Sequence, residues 1–237
     1  MPSTPAGQRI YAIGDIHGRA DLLRLLLDKI AADRATCPLP VQLIFLGDYI
    51  DRGVESKRVV DILLAMNGPP IFLLGNHDQV MRNILRDGDT TYVMQWLRVG
   101  GREAALSYGV MPPFPNAKPE AVEQFVEKLQ AAVPASHQQF YNSLQSCVTF
   151  GDYFFCHAGV RPDVPLAEQT EEDMAWIRGD FINSAEQYEK IIVHGHTIAE
   201  LPDVHKNRIG IDTGAYATGV LTALGLEGER QWFLQTA

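Results

Sequence analysis

Cysteine is scarce in this 237-residue chain: Cys37, Cys147 and Cys156 are all there is. An odd number of thiols, in a chain long enough to bury its own core, excludes a disulfide-stapled secreted scaffold. It fits reduced cysteines and a cytoplasmic protein. Positive charge is also in short supply. Twenty Lys and Arg stand against 29 Asp and Glu, for a formal charge of −9. That argues against a partner held along a nucleic-acid backbone, which needs a basic face, while a compact phosphate pocket needs only one or two arginines. Long apolar runs are missing too. The polar start MPSTPAGQR leads straight into a first strand with no signal-peptide core, and no stretch approaches the length of a membrane span. Internal repeats and low-complexity segments are likewise absent.

What remains is ordinary globular composition, 46% hydrophobic and 21% charged, expected to form one domain over residues 1–237. RIYAIGD, VQLIFLGD and IFLLGN read as buried strands, separated by the amphipathic helices RADLLRLLLDKIAADRA and ESKRVVDILLAM. Alternation at this spacing predicts an α/β fold with a mainly parallel sheet, whose ligands bind beyond the carboxyl ends of the strands. Residues 79–145 look helical throughout apart from the proline-rich GVMPPFPNAKP, and are expected to form a helical insertion or cap. Strands resume as SCVTFG, YFFCHAG, KIIVHGH, NRIGIDTG, VLTALGLEG and RQWFLQT, the last of them antiparallel in character. Mixed sheets, or two sheets, are therefore predicted.

The strand ends carry the chemistry. Gly14-Asp15 is followed by His17; GDYIDRG brings Asp48, Asp51 and Arg52; GNHD brings Asn76 and His77; HAG and HGHT bring His157 and His196. Any one fragment is weak, since an isolated Asp-x-His is more often a hydrogen-bonded loop pair. Five in succession, each after a strand, are hard to explain by packing, because buried ionisable groups are costly unless paired or bound to a cation. Oxygen and nitrogen donors without a thiolate motif suit Mn, Fe or Zn rather than a structural zinc cage. Arg52 offers a planar fork that matches phosphate oxygens two at a time.

Taken together, GDIHG…GDYIDRG…GNHD…HAG…HGHT, with IDTGA at residues 211–215, resembles the phosphoprotein phosphatase family of metal-dependent serine/threonine phosphatases, in its compact bacterial and phage branch, within the calcineurin-like metallophosphoesterases. The resemblance implies mixed β-sheets sandwiched by helices and a binuclear centre of two divalent ions, with Mn2+ favoured and Fe or Zn as substitutes. Asp15 and His17 would hold one metal, Asn76, His157 and His196 the other, and Asp48 both. It implies hydrolysis of phosphomonoesters by direct attack of metal-activated water, with His77 protonating the leaving oxygen and Asp51 supporting His77. Arg52 and Asn76 would contact the phosphate. A second phosphate arginine is expected at Arg178 in AWIRGDF, ahead of its competitor Arg161 in HAGVRP.

Asp78 stands where many eukaryotic members have Glu, as it does in bacterial hydrolases of dinucleoside polyphosphates. Those lack the Asp of DRG, however, so Asp51 favours a phosphorylated protein as substrate. The alternative is a dinucleoside polyphosphate, of the diadenosine tetraphosphate type, or another small phosphoester. A degenerate binding module is disfavoured, because every metal position is filled. DGDTT at residues 87–91 is expected to be a solvated loop, Cys156 to pack near the site, His194 to support a ligand, and His137 and His205 to lie at the surface or in loops.

Overall fold

Residues 1–35 and 37–237 are described by the computed structural model. Strict side-chain alternation organises it. In β1 (Arg9–Ile13), Ile10 and Ala12 face one apolar cluster while Tyr11 and Ile13 face another. β5 (Tyr153–Cys156) behaves likewise: Tyr153 and Phe155 join the first of these clusters, and Phe154 and Cys156 a third. Strands buried on both faces need a covering layer on each side. The result is two sheets packed face to face with helices outside both.

The first sheet has the order β10-β9-β1-β2-β3 and the second β4-β5-β6-β8-β7. In the first, β1 runs parallel to β2 (Val41–Phe45), which runs parallel to β3 (Ile71–Phe72). β9 (Thr222–Glu227) and β10 (Arg230–Gln235) extend it antiparallel. In the second, β5 pairs antiparallel with β4 (Cys147–Phe150) and parallel with β6 (Ile191–His194). β8 (Arg208–Gly210) follows parallel to β6, and β7 (Asp203–Val204) closes the edge antiparallel. Both sheets are thus mixed, as the strand pattern predicts. The third strand is shorter than IFLLGN suggests: after Phe72 only Leu73 continues, as a single parallel bridge to Gln145.

Helix α1 (Ala20–Arg34) lays Leu23, Leu26 and Ile30 on the first sheet at helical spacing. Each such burial is worth roughly 1.5–3 kcal/mol. Asp21 in its first turn and Arg34 in its last complement the helix dipole. α2 (Ser56–Leu64) packs beside it. Between β3 and β4 come α3 (Asn76–Asp87), α4 (Val93–Trp96), α5 (Arg102–Ser107), α6 (Pro119–Ala132) and α7 (Ala135–Ser143). Their apolar faces (Met81, Ile84, Phe125, Leu129, Phe140) share one core with α1 and α2. α3 stops at Gly88, whose φ of 66° is the left-handed cap that glycine adopts without strain. α4 passes into α5 through a π-helical turn, Leu97–Gly101, kinked at Gly100. α8 (Glu171–Trp176) and α9 (Gly179–Ile182), which apolar periodicity does not single out, cover the outer face of the second sheet. A last short helix, α10 (Ala215–Thr218), precedes β9. Among the described residues, no helix is long and apolar enough to cross a membrane.

Candidate metal centre and active site

β1, β2, β5 and β6 release their chains at the same rim, where the two sheets meet. The turns there are sharp. Of six non-glycine residues with positive φ among the described residues, five are His17, Asp48, Asp51, Arg52 and His196. Side-chain-bearing residues in that region cost free energy and persist only where the surroundings fix them. Here the fixing bonds are visible. The backbone N–H groups of His17 and Ile16 donate to Asp48 O, and that of Asp48 donates to the Asp78 carboxylate. Gly75 is glycine because a Cβ there would lie 2.2 Å from the Asp48 backbone nitrogen.

The donor atoms converge. Asp48, His157 and His196 form one group able to hold a metal ion; His17 and Asp48 meet His77 in a second, where both His77 nitrogens already bond Asp51 and Arg52, and Asp48 is common to both. His157 Nε2 lies 3.1 Å from His196 Nδ1, 3.2 Å from Asn76 Oδ1 and 3.5 Å from Asp48 Oδ1. His17 Nε2 lies 3.4 Å from Asp48 Oδ2. The tautomers suit ligation. His17 Nδ1 donates to Ile50 O and His157 Nδ1 to Leu46 O, which leaves each Nε2 lone pair turned inward. His196 Nε2 is buried without a hydrogen-bond partner.

Charge supports the same reading. Burial holds the imidazoles neutral, pushing His17 down to about 3 and His157 and His196 downward as well. Burial alone would raise Asp48, but its interactions with His157, His77 and His17 outweigh it and hold it below the usual carboxylate range. Asp15 accepts from the His196 backbone N–H. Its pKa is driven well up, first by burial, then by Asp212 and Asp48. Carboxyl groups crowded together in this buried site disfavour one another's ionised forms, and a multivalent cation relieves that repulsion. The His and Asp groups therefore fit the divalent ions that the sequence implies. Asp15 adjoins the cage through His196 but belongs to neither donor group.

His77 follows Asn76 in the first turn of α3, and its backbone N–H donates to Asp48 Oδ1 at 3.0 Å. Its Nδ1 donates to Asp51 Oδ2 at 2.5 Å. Burial would lower its pKa, yet the charges of Asp48 and Asp51 and the bond to Asp51 prevail and raise it. On its other side, Arg52 Nη2 donates to His77 Nε2 at 3.3 Å. Outside this group opens a cavity of about 550 Å³, lined at its base by Arg52, Asn76, His77 and Arg178. Tyr92, Trp96, Trp176, Val80 and Val99 form its apolar walls, with Gln79, Asn83 and Gln95 supplying amides.

Some expectations need correction. Arg161 does not line this cavity: it is exposed and its guanidinium is taken by Asp173. His137 is not a surface residue. It is buried in α7, with Tyr108 Oη 2.9 Å from Nδ1 and Asp61 3.0 Å from Nε2. Asp78 lies beneath the site, accepting backbone N–H bonds from Asp48, Tyr49 and Gly75, so its identity carries nothing about substrate. His205 is exposed, Cys156 packs in the outer core, and His194 is buried with Nδ1 3.0 Å from Gly195 O. Three participants escape the sequence argument. Asp212, within IDTGA, is a buried carboxyl pushed up to about 6, chiefly by burial. Tyr216 sets its ring 4.5 Å from the Arg52 guanidinium and edge-on to His17. Trp96 donates its indole N–H to Asp51 Oδ2 at 2.6 Å.

Known proteins resemble the chain over most of its length. The bis(5'-nucleosyl)-tetraphosphatase PrpE [asymmetrical] of Anoxybacillus flavithermus is 27% identical over 90% of this chain and 88% of its own. The symmetrical bis(5'-nucleosyl)-tetraphosphatase of Nitrosospira multiformis is 24% identical, over 93% and 94%. A cold-active protein-tyrosine phosphatase of a psychrophilic Shewanella superposes with a TM-score of 0.59 at 18% identity, covering 100% of this chain and 83% of that one, a likeness of fold. The two sequence relatives bear names of the class held above as the alternative, rather than of serine/threonine phosphatases. The profile of the calcineurin-like phosphoesterases matches residues 8–218, and the chain belongs to that family.

Proposed function

We propose that the protein hydrolyses phosphoanhydride bonds in dinucleoside polyphosphates, diadenosine tetraphosphate being the type, with manganese as the favoured ion. The cavity carries this reading. A space of about 550 Å³ walled by Tyr92 and Trp176 and edged with the amides of Asn83 and Gln95 suits a base and ribose. Aromatic faces stack bases and amides meet their edges. The names of the two relatives support it as well.

Divalent ions held by Asp15, His17, Asp48, Asn76, His157 and His196 would supply Lewis-acid charge and make water more acidic. The chain's own groups do the rest. Arg52 and Arg178, both on the cavity floor, would bracket the phosphate, with the Asn76 amide beside them. An incoming phosphate draws Arg52 off His77 Nε2, and the raised pKa of His77 lets that nitrogen carry a proton to the leaving oxygen.

The Asp51–His77 pair also favours a second reading, phosphomonoester hydrolysis, because an alkoxide needs a proton on departure more than a nucleotide does. The two separate in one experiment. Chelator-stripped enzyme is reloaded with Mn, Zn or Mg and given diadenosine tetraphosphate and a phosphoserine peptide in parallel. Higher kcat/KM for the dinucleotide is expected; the reverse order overturns the proposal. Products of ADP alone, or of ATP with AMP, identify the bond cleaved.

A further inference from the structure

We propose that Trp96 is a positioning residue for proton transfer, its indole N–H fixing the Asp51 carboxylate so that His77 presents Nε2 to the leaving oxygen. This rests on the phosphoester chemistry proposed above and on donation by His77.

Asp51 is fully buried, and one of its oxygens does all the bonding. Oδ2 accepts from His77 Nδ1 at 2.5 Å and from Trp96 Nε1 at 2.6 Å, while Oδ1 has no partner. A carboxylate held by one donor can rotate and exchange its oxygens; two donors on a single oxygen set its plane. Asp51 also needs outside support because its φ of 71° is one that side-chain-bearing residues rarely hold. Trp96 is itself held. Gly101 packs on its ring, where a Cβ would come within 2.2 Å of Cδ2. In the same π-helical turn, Gly100 O accepts the Arg52 backbone N–H at 3.0 Å. Trp96 at the end of α4, 45 residues beyond Asp51, and the kinked turn that follows it therefore orient both Asp51 and Arg52.

The chemistry balances. Water adds its oxygen to phosphorus, and the electron pair of the broken P–O bond stays on the leaving oxygen. That oxygen takes the His77 Nε2 proton, and the proton lost by water restores the imidazolium. Misplacing Asp51 weakens only the donation, so the loss depends on how much the leaving group needs it.

The test uses the full chain with Trp96→Phe, and with Trp96 replaced site-specifically by benzothienylalanine, which keeps the indole shape but puts sulfur in place of N–H. With manganese-loaded enzyme, kcat for phenyl phosphate is expected to fall roughly 10–100-fold in both variants. For dinitrophenyl phosphate, whose leaving group needs no proton, it stays within about twofold, and KM is unchanged for both. In metal-stripped protein, the downfield His77 Nδ1–H resonance, assigned by its loss in His77→Asn, is expected to move upfield in both variants. Equal losses across the aryl series, a rise in KM alone, or an unmoved resonance overturns the proposal. Wild-type enzyme inert toward diadenosine tetraphosphate would defeat the proposed substrate, while the resonance still decides the role of Trp96.

Discussion

The loops at the strand ends and the helices between β3 and β4 reach the same cavity, but they are built on different terms. The loops are short, strained and dense in ionisable groups: five residues with positive φ hold His17, Asp48, Asp51, Arg52 and His196 around one buried charge centre. The helices are relaxed and apolar, seated on a shared core through Met81, Ile84, Phe125 and Phe140. They reach the cavity with Tyr92, Trp96 and its indole N–H, and one carbonyl. The groups carrying charge sit where the backbone must be forced, and the forcing is sustained by elements whose own left-handed turn, at Gly100, falls to a glycine.

The comparison is broken most severely from the loop side. Asp48→Asn removes the carboxylate common to both donor groups. Turnover should fall more than about 10³-fold, equivalent to about 4 kcal/mol of barrier, with metal content by elemental analysis falling alongside. His77→Asn should cost about 10²–10⁴ in kcat while metal content stays intact, which separates proton transfer from ion binding.

From the helix side the effects are smaller and more selective. At Gly100 (φ 124°) a Cβ would meet the Arg52 backbone nitrogen and Cγ at 2.6 Å, so Gly100→Ala should disturb Arg52. Stability should drop by about 1–3 kcal/mol in urea unfolding, and inhibition by inorganic phosphate should weaken. At Gly88 (φ 66°) the nearest atom to a Cβ is Gln130 Nε2 at 3.6 Å. Gly88→Ala should cost about 1 kcal/mol of stability and leave phosphate inhibition unchanged.

The smallest effect concerns His137, which ties α7 to Asp61 of α2. Burial, against the pull of Asp61, holds its pKa below 6.5. The unfolded chain takes up that proton first, so the contribution is complete above about pH 6.5 and is lost as pH falls toward the depressed folded value. Chemical denaturation of metal-stripped protein should show the gap between wild type and His137→Asn narrowing from pH 7 to pH 5.

The same contrast explains what the sequence disclosed. Asp15, His17, Asp48, Asn76, His77, His157 and His196 are legible because each lies in a short polar cluster right after an apolar strand, where the chain has little freedom to send it elsewhere. Trp96 is not legible: in VMQWLRV it is one more apolar residue at helical spacing, and its partner Asp51 is 45 positions away. Arg161 misleads for the opposite reason. It follows His157 closely, but the chain turns and delivers it to Asp173. His137 looks like a surface residue among polar neighbours because Tyr108 and Asp61, which bury and bond it, come from other helices. The preference for a phosphoprotein rested on what the leaving group requires, whereas the cavity that bears on substrate is assembled from α3, the residues around α4, and α8. No local pattern brings those together.

Asp48 and Asn76 belong to one sheet's strand ends, His157 and His196 to the other's. An ion gripped by both would fasten the two halves of the sandwich along their seam. Chelation should therefore lower the melting temperature as well as silence turnover, and amide exchange should quicken first where the halves meet. For this molecule, grip on the ion and resistance to coming apart are one free energy read in two ways.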